Sequence, residues 1–222
     1  MQRKTIVVSS ALAGAMWRNA AARSGDVGTD VVTLPLLAAR LAGGFARPAS
    51  QAELLPPIID ALRTLDFEEL EPVRGRPGMA RAVLASLMRL WAAGRLLAVD
   101  DDNARLRDLA RIEAHVRQQL PVAVLVTPDL SAAAISRVDK AKSVLGSVHL
   151  RRVVEIDAVW RPLVQALSGV LSLTWEVVVF AIGVGSRVAS SPRLTPSRLF
   201  SHVICVRIRE QRWLRRYDGR ER

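Results

Sequence analysis

Cysteine is nearly absent from this 222-residue chain, in which Cys205 stands alone. One thiol excludes an intrachain disulfide and any cysteine-built zinc or iron–sulfur centre. Lysine is almost as scarce: Lys4, Lys140 and Lys142 follow Arg, Asp and Ala, so no Gly-Lys pair exists. That excludes an ATP loop of the usual kind, whose lysine neutralises the β- and γ-phosphates. The three histidines, His115, His149 and His202, are isolated, with no second metal-type ligand at helical or hairpin spacing. No Gly-x-Ser-x-Gly turn singles out a serine nucleophile. Gly183-Val184-Gly185 lacks the third glycine of a dinucleotide turn, and Asp100-Asp101-Asp102 lacks the later Glu of a calcium loop. No cofactor and no bound metal are therefore expected.

Long apolar runs are missing too. The stretch 177–182 (VVVFAI) falls far short of the roughly 20 residues that span a bilayer. Arg3, Lys4 and Ile6-Val7-Val8 imitate the opening of an export signal, but Ser9-Ser10 interrupts it and Arg18 and Arg23 follow. The expected chain is soluble and cytoplasmic, with no membrane partner.

What is present is enough to fold. The chain is 50% hydrophobic, 24% charged and has a mean hydropathy of +0.19, so it can bury a core. Its formal charge of +11 is unevenly placed. Residues 177–222 hold ten arginines against three acids (Glu210, Asp218 and Glu221), and no acid occurs over 177–209. The remainder is only mildly basic. A basic tail is a different feature from a basic groove.

Thr5 to Ser10 is short and β-branched, and predicts a buried strand; Ala11 to Arg23 predicts a helix that stops at Ser24-Gly25. Asp30 to Leu34 predicts a second strand, and Leu36 to Leu41 a short helix after Pro35. This order opens a parallel βαβ unit. From Ser50 to about Leu120 only helices are expected. Ser50 and Glu53 spell a capping box, and Pro77 and Gly94 bracket a helix with Val83, Leu84, Leu87, Met88 and Trp91 on one face. A third helix follows Asp102 as cap, with Leu109, Ile112, Val116 and Leu120 as its stripe and Glu113/Arg117 as an i,i+4 pair. The α/β pattern then resumes, with a helix over Pro128 to Lys142, a strand over Val148 to Ile156, a helix over Pro162 to Leu167 and a strand over Val170 to Trp175. Trp91, Trp160 and Trp175 lie in these apolar segments and are expected in the core rather than as base-stacking platforms. The expected organisation is 1–48 and 128–176 as one α/β domain, 49–127 as a helical insertion, and 177–222 as an irregular basic tail.

A phosphate loop would occupy the first strand-to-helix connection, which here reads Ser9-Ser10-Ala11-Leu12-Ala13-Gly14. The opening TIVVSSALAGAMWRNAAARSG and DVVTLPLLAARLAGGFARP resemble the start of the B subunit of AddAB-type helicase–nucleases. More specifically, they resemble the related inactivated superfamily 1 helicases that carry a PD-(D/E)XK nuclease domain. RLRDLARIEAHVRQQLP, TPDLSAAAISR and VHLRRVVEIDAVWRPLVQALSGVLSLTWE extend the likeness to about residues 5 to 176. The resemblance implies a RecA-like α/β domain (1A) interrupted by a helical insertion (1B). It also implies a role in double-strand-break repair beside an AddA-type helicase subunit.

Both halves of an ATP site are degenerate on this reading. The phosphate loop is reduced to Ser9, Ser10 and Gly14, and the Asp-Glu pair of active relatives is replaced by Glu155-Ile156-Asp157. The family's nuclease motif cannot be assigned in this chain. The likeness stops near Glu176, where a truncated or frame-shifted gene would place its break. No catalysis by this chain is expected, and no catalytic residue is assigned. DNA is the expected partner, with Arg18, Thr33 and Arg40 as candidate backbone contacts. The competing expectation is a nucleic-acid or anionic-surface binder acting through Arg207, Arg209, Arg212, Arg215 and Arg216, with Trp213 and Tyr217 interleaved.

Overall fold

A computed structural model describes residues 3–176. His202, Cys205, Gly183-Val184-Gly185 and the arginine-rich tail with Trp213 and Tyr217 lie outside the described residues.

The chain begins β1 (Lys4–Val8), α1 (Ala11–Arg23), β2 (Thr29–Thr33) and α2 (Leu34–Leu41). The last described elements are β5 (Ser147–Arg151), α8 (Arg161–Val170) and β6 (Leu173–Glu176). These four strands form one parallel sheet in the order β2-β1-β5-β6. β1 lies between the strand that follows it and a strand that arrives much later, so the chain leaves β1 in both directions. One face of the sheet carries the main core: Val7, Val32, Val148 and Leu150 pack with Leu37 and Leu41 of α2, Leu145, and Leu163 and Leu167 of α8. The other face holds a small cluster of Ile6, Val8 and Val31 beneath Ala13 and Trp17 of α1.

Between the two halves of the sheet come β3 (Arg47–Pro48), α3 (Gln51–Thr64), α4 (Met79–Ala92), α5 (Ala104–Gln119) and β4 (Val124–Leu125). The three helices build a second hydrophobic cluster around Leu54, Ile58, Leu87, Trp91, Ile112 and Val116. β3 and β4 pair in parallel, Arg47 with Val124 and Pro48 with Leu125, where the helical segment leaves and rejoins the α/β core. The Ser50 hydroxyl accepts the Glu53 N–H, and the Glu53 carboxylate accepts the Ser50 N–H at 3.0 Å, which completes the capping box.

Several expectations shift on inspection. The cap of α5 is Asn103, whose Oδ1 accepts the N–H groups of Arg105 and Leu106, while Asp101 caps the preceding turn at the Asn103 N–H. α4 starts at Met79 rather than Pro77, because Gly78 takes φ +83 and provides the break. Met88, expected on the buried stripe, is 40% exposed. The helix expected over 128–142 is two helices, α6 (Thr127–Ile135) and α7 (Ala141–Leu145). Its middle is diverted at Arg137, whose Nη1 reaches back to the Ala42 carbonyl at 3.2 Å. Trp91 and Trp160 are buried as expected, and Trp175 is half-buried with its indole N–H on the Val153 carbonyl.

Candidate functional site

In an open parallel sheet, ligands settle beyond the carboxyl ends of the strands, where the chain diverges to either side of one strand. Here that point lies past β1 and β5. The connection from β1 to α1 is two residues, Ser9 and Ser10, both exposed. Ser10 is extended and its hydroxyl accepts the Ala13 N–H at 3.2 Å, so the side chain caps the helix. Gly14 is not in the connection at all. It lies inside the first turns of α1 and is buried, and a Cβ there would sit 3.5 Å from Val8 Cγ2 and 3.3 Å from Arg18 Nη1. Its small size therefore serves close helix–strand packing. A two-residue link without a left-handed glycine is too short to wrap successive backbone N–H groups around a triphosphate.

The acidic motif lies past the neighbouring strand. β5 ends at Arg151, not at Ile156, and Arg152 turns the chain with φ +54. Val153 and Ile156, three apart, tuck into the core, which leaves Glu155 and Asp157 exposed. That spacing suits an irregular turn and breaks the alternation that a strand needs. The Arg161 side chain donates to the Ile156 carbonyl at 3.2 Å and fixes the turn. The structure thus brings the Ser9-Ser10 link and the 152–157 turn to one end of the sheet.

Arg18, Thr33 and Arg40 do not converge there. Arg18 donates to the Val31 carbonyl at 3.1 Å in the middle of β2. Arg40 pairs at 2.8 Å with Asp30, which also holds Arg3 at 3.3 Å and lies in register with Thr5. Thr33 ends β2, and its side chain caps nothing. Arg18 of α1 and Arg40 of α2 meet β2 at Val31 and Asp30, while Thr33 ends the strand, and both arginines already have partners.

Sequence reasoning missed a polar array on the α1 side of β5 and β6. Thr174 Oγ1 and His149 Nδ1 are 2.5 Å apart, and His149 Nε2 lies 3.2 Å from the Ser147 hydroxyl. Arg151 pairs with Glu176 at 3.3 Å and lies 4.8 Å from the centre of the Trp17 ring. Burial, with Lys4 and Arg151 close by, holds His149 below the ordinary imidazole range. The signal was the alternation of SVHLR and LTWE, in which Ser147, His149, Arg151, Thr174 and Glu176 face away from the main core while Val148, Leu150, Leu173 and Trp175 face it.

The helical segment holds the more deeply buried charges. Asp108 is fully buried and accepts the N–H groups of Glu68, Glu69 and Leu70 at 3.0, 2.8 and 3.0 Å. Burial opposes its ionisation, but these three bonds and Arg111 together hold its carboxyl below the usual range. Glu113 is also buried; its carboxylate accepts the Trp91 indole N–H at 2.6 Å and pairs with Arg117 at 3.1 Å. Burial prevails there, and Glu113 is pushed up. An open depression of about 510 Å³ lies in this segment, lined by Leu70, Val73, Arg76, Met79 and Arg105 among others, none of them from the sheet. Among the described residues no three of His, Cys, Asp and Glu gather as a metal site, and no helix is long and apolar enough to cross a membrane. No protein-family model matches the chain, and no curated protein matches it.

Proposed function

We propose that this chain is an ATPase-inactive, helicase-like module with a RecA-like α/β domain and a 1B-like helical insertion. It serves as a scaffold and makes weak DNA contact in double-strand-break repair. Its partner on this reading is an AddA-type helicase subunit in the cytoplasm. The observation that carries the reading is the two-residue Ser9-Ser10 link, capped by Ser10 and lacking a lysine, in the place where a nucleotide-driven relative would wrap the phosphates. The Glu155/Asp157 turn past the adjacent strand, at the same end of the sheet, supports it because it lacks the Asp-Glu pair of active relatives.

The test pairs two measurements on the full chain. Phosphate release from ATP, with and without single-stranded DNA, is expected at the level of the buffer control. Fluorescence anisotropy with a labelled single strand is expected to show weak binding that fades steeply with salt. Measurable turnover, or no DNA binding at low salt, would overturn the proposal. A second reading rests on the ten arginines of residues 177–222. Under it, DNA affinity resides in that segment, and deleting 177–222 abolishes binding. Under the first reading the deletion changes little.

A further inference from the structure

An arginine–carboxylate fork ties down each strand that joins the helical insertion to the α/β core, one from β3 itself and one across β4. On the incoming side, Arg47 of β3 grips Glu53 in the first turn of α3, with Nη1 at 2.8 Å from Oε2 and Nη2 on Oε1. On the outgoing side, Arg117 near the end of α5 grips Asp129 in the first turn of α6, with Nε at 2.9 Å and Nη2 at 3.1 Å. Such bidentate pairs fix direction as well as distance. Between the forks lies the β3–β4 ladder, only two residue pairs long and extended by the Arg47 N–H to Ala123 and Ala49 N–H to Leu125 bonds at 2.9 Å.

The two bodies joined by this ladder have separate hydrophobic clusters. A further touching point is Gly94, just past α4, where a Cβ would lie 3.4 Å from the backbone of Ala158 and Val159. A short ladder between two independently packed cores bends at lower cost than either core unfolds. We propose that the helical insertion is a hinged body, with the β3–β4 ladder as its hinge and the Arg47–Glu53 and Arg117–Asp129 forks as the locks that hold it closed.

The forks are unequal. Arg117 also meets the buried Glu113, which the Trp91 indole of α4 holds, so the outgoing lock connects α4, α5 and α6. The incoming lock engages only β3 and the first turn of α3. The outgoing fork is the stronger constraint, and its loss opens the hinge further.

Native-state hydrogen exchange on the full chain tests this, with Asp129→Asn, Glu53→Gln and the double variant compared with the unaltered protein. The Arg47 and Ala49 amides are expected to exchange about fivefold faster in Asp129→Asn and more than tenfold faster in the double variant. Amides of β1 and β5, and of the α3 and α5 interiors, keep their protection. Salt at 1 M speeds the same ladder amides in the unaltered protein, because screening weakens the forks. Unchanged ladder exchange in the double variant would overturn the proposal. So would loss of protection shared equally by the ladder and both cores, which marks global unfolding. Should the double variant fail to fold, the salt series on the unaltered chain decides alone, since a rigid joint shows no selective acceleration of the ladder.

Discussion

The indole N–H of Trp91 and the carboxylate of Glu113 meet at 2.6 Å between α4 and α5, with both residues almost wholly out of solvent. A buried carboxylate is tolerated here because an indole and the Arg117 guanidinium share it. Replacing Trp91 with Phe removes the donor and trims the buried indole to a phenyl ring. The expected loss is about 2 kcal/mol, measured by urea unfolding at neutral pH. A loss below about 0.5 kcal/mol would show that Glu113 finds another donor at no cost.

The same carboxyl sets a pH dependence. Glu113 is raised above the ordinary glutamate range by burial, so the folded chain holds its proton to higher pH than the unfolded chain. Its contribution to stability is therefore fully present below the ordinary value and declines as pH rises through the raised one. Glu113→Gln is expected to remove that decline while keeping an acceptor for Trp91. Urea midpoints across pH 4 to 8, for the variant against the parent, measure the difference.

Asp108 has the opposite sign. Its carboxyl is held below the ordinary aspartate range, so it stabilises the fold above that range and the contribution fades as pH falls through the lowered value. Asp108→Ala strands three backbone N–H groups of the 68–70 turn. A cost of about 3–5 kcal/mol is expected, with selective exchange of those three amides. Retention of their protection would mean that another acceptor takes over.

Gly146 and Gly25 form a matched pair. Both have positive φ, +68 and +67, but a Cβ at Gly146 would lie 2.0 Å from the Arg3 carbonyl oxygen, and one at Gly25 would meet nothing within 4 Å. Gly25→Ala is expected to cost about 1 kcal/mol from backbone conformation alone. Gly146→Ala should cost at least about 3 kcal/mol, because β5 cannot then close on β1 without displacing backbone. Equal thermal midpoints for the two variants would refute the close contact.

Gly14→Ala tests the reading of the first connection. A Cβ there lies 3.5 Å from a methyl of Val8 and crowds Arg18 Nη1 at 3.3 Å, the atom that donates to the Val31 carbonyl, although alanine is the better helix former. The expected result is a loss of up to about 1 kcal/mol in thermal denaturation, the crowding offsetting alanine's better helix propensity, and a gain would show that the packing does not need glycine.

Much of the α/β framework was readable because β1 and β2 are nearly continuous runs of apolar or β-branched residues, and Ser50/Glu53 carry their capping chemistry locally, whereas the α5 cap fell on Asn103 rather than the expected Asp102. The break in the helix over 128–142 was not legible. It coincides with the Arg137 bond to the Ala42 carbonyl, 95 residues away, a contact that no local pattern encodes. The β3–β4 ladder was equally hidden, since two residues per strand leave no periodicity to read. At the candidate site, the family resemblance grouped Ser9, Ser10 and Gly14 with Glu155 and Asp157, and the sheet order brings the Ser9-Ser10 link and the 152–157 turn to the same end of adjacent strands, with Gly14 inside α1. The charges on Arg18 and Arg40 gave no hint that the Val31 carbonyl and Asp30 already engage them.

The buried Thr5 hydroxyl donates at 2.7 Å to the carbonyl of Leu145, a partner 140 residues further along the chain. Every pairing in the main sheet is parallel, so no hairpin can seed it, and its central pair forms only after a very long loop closes. The kinetic consequence is an order of events. The local contacts of the three inserted helices can form first, and their compaction shortens the effective loop that β5 must close to reach β1. Refolding should accordingly show helical signal arriving before the sheet, at a rate that core substitutions within α3–α5 retard.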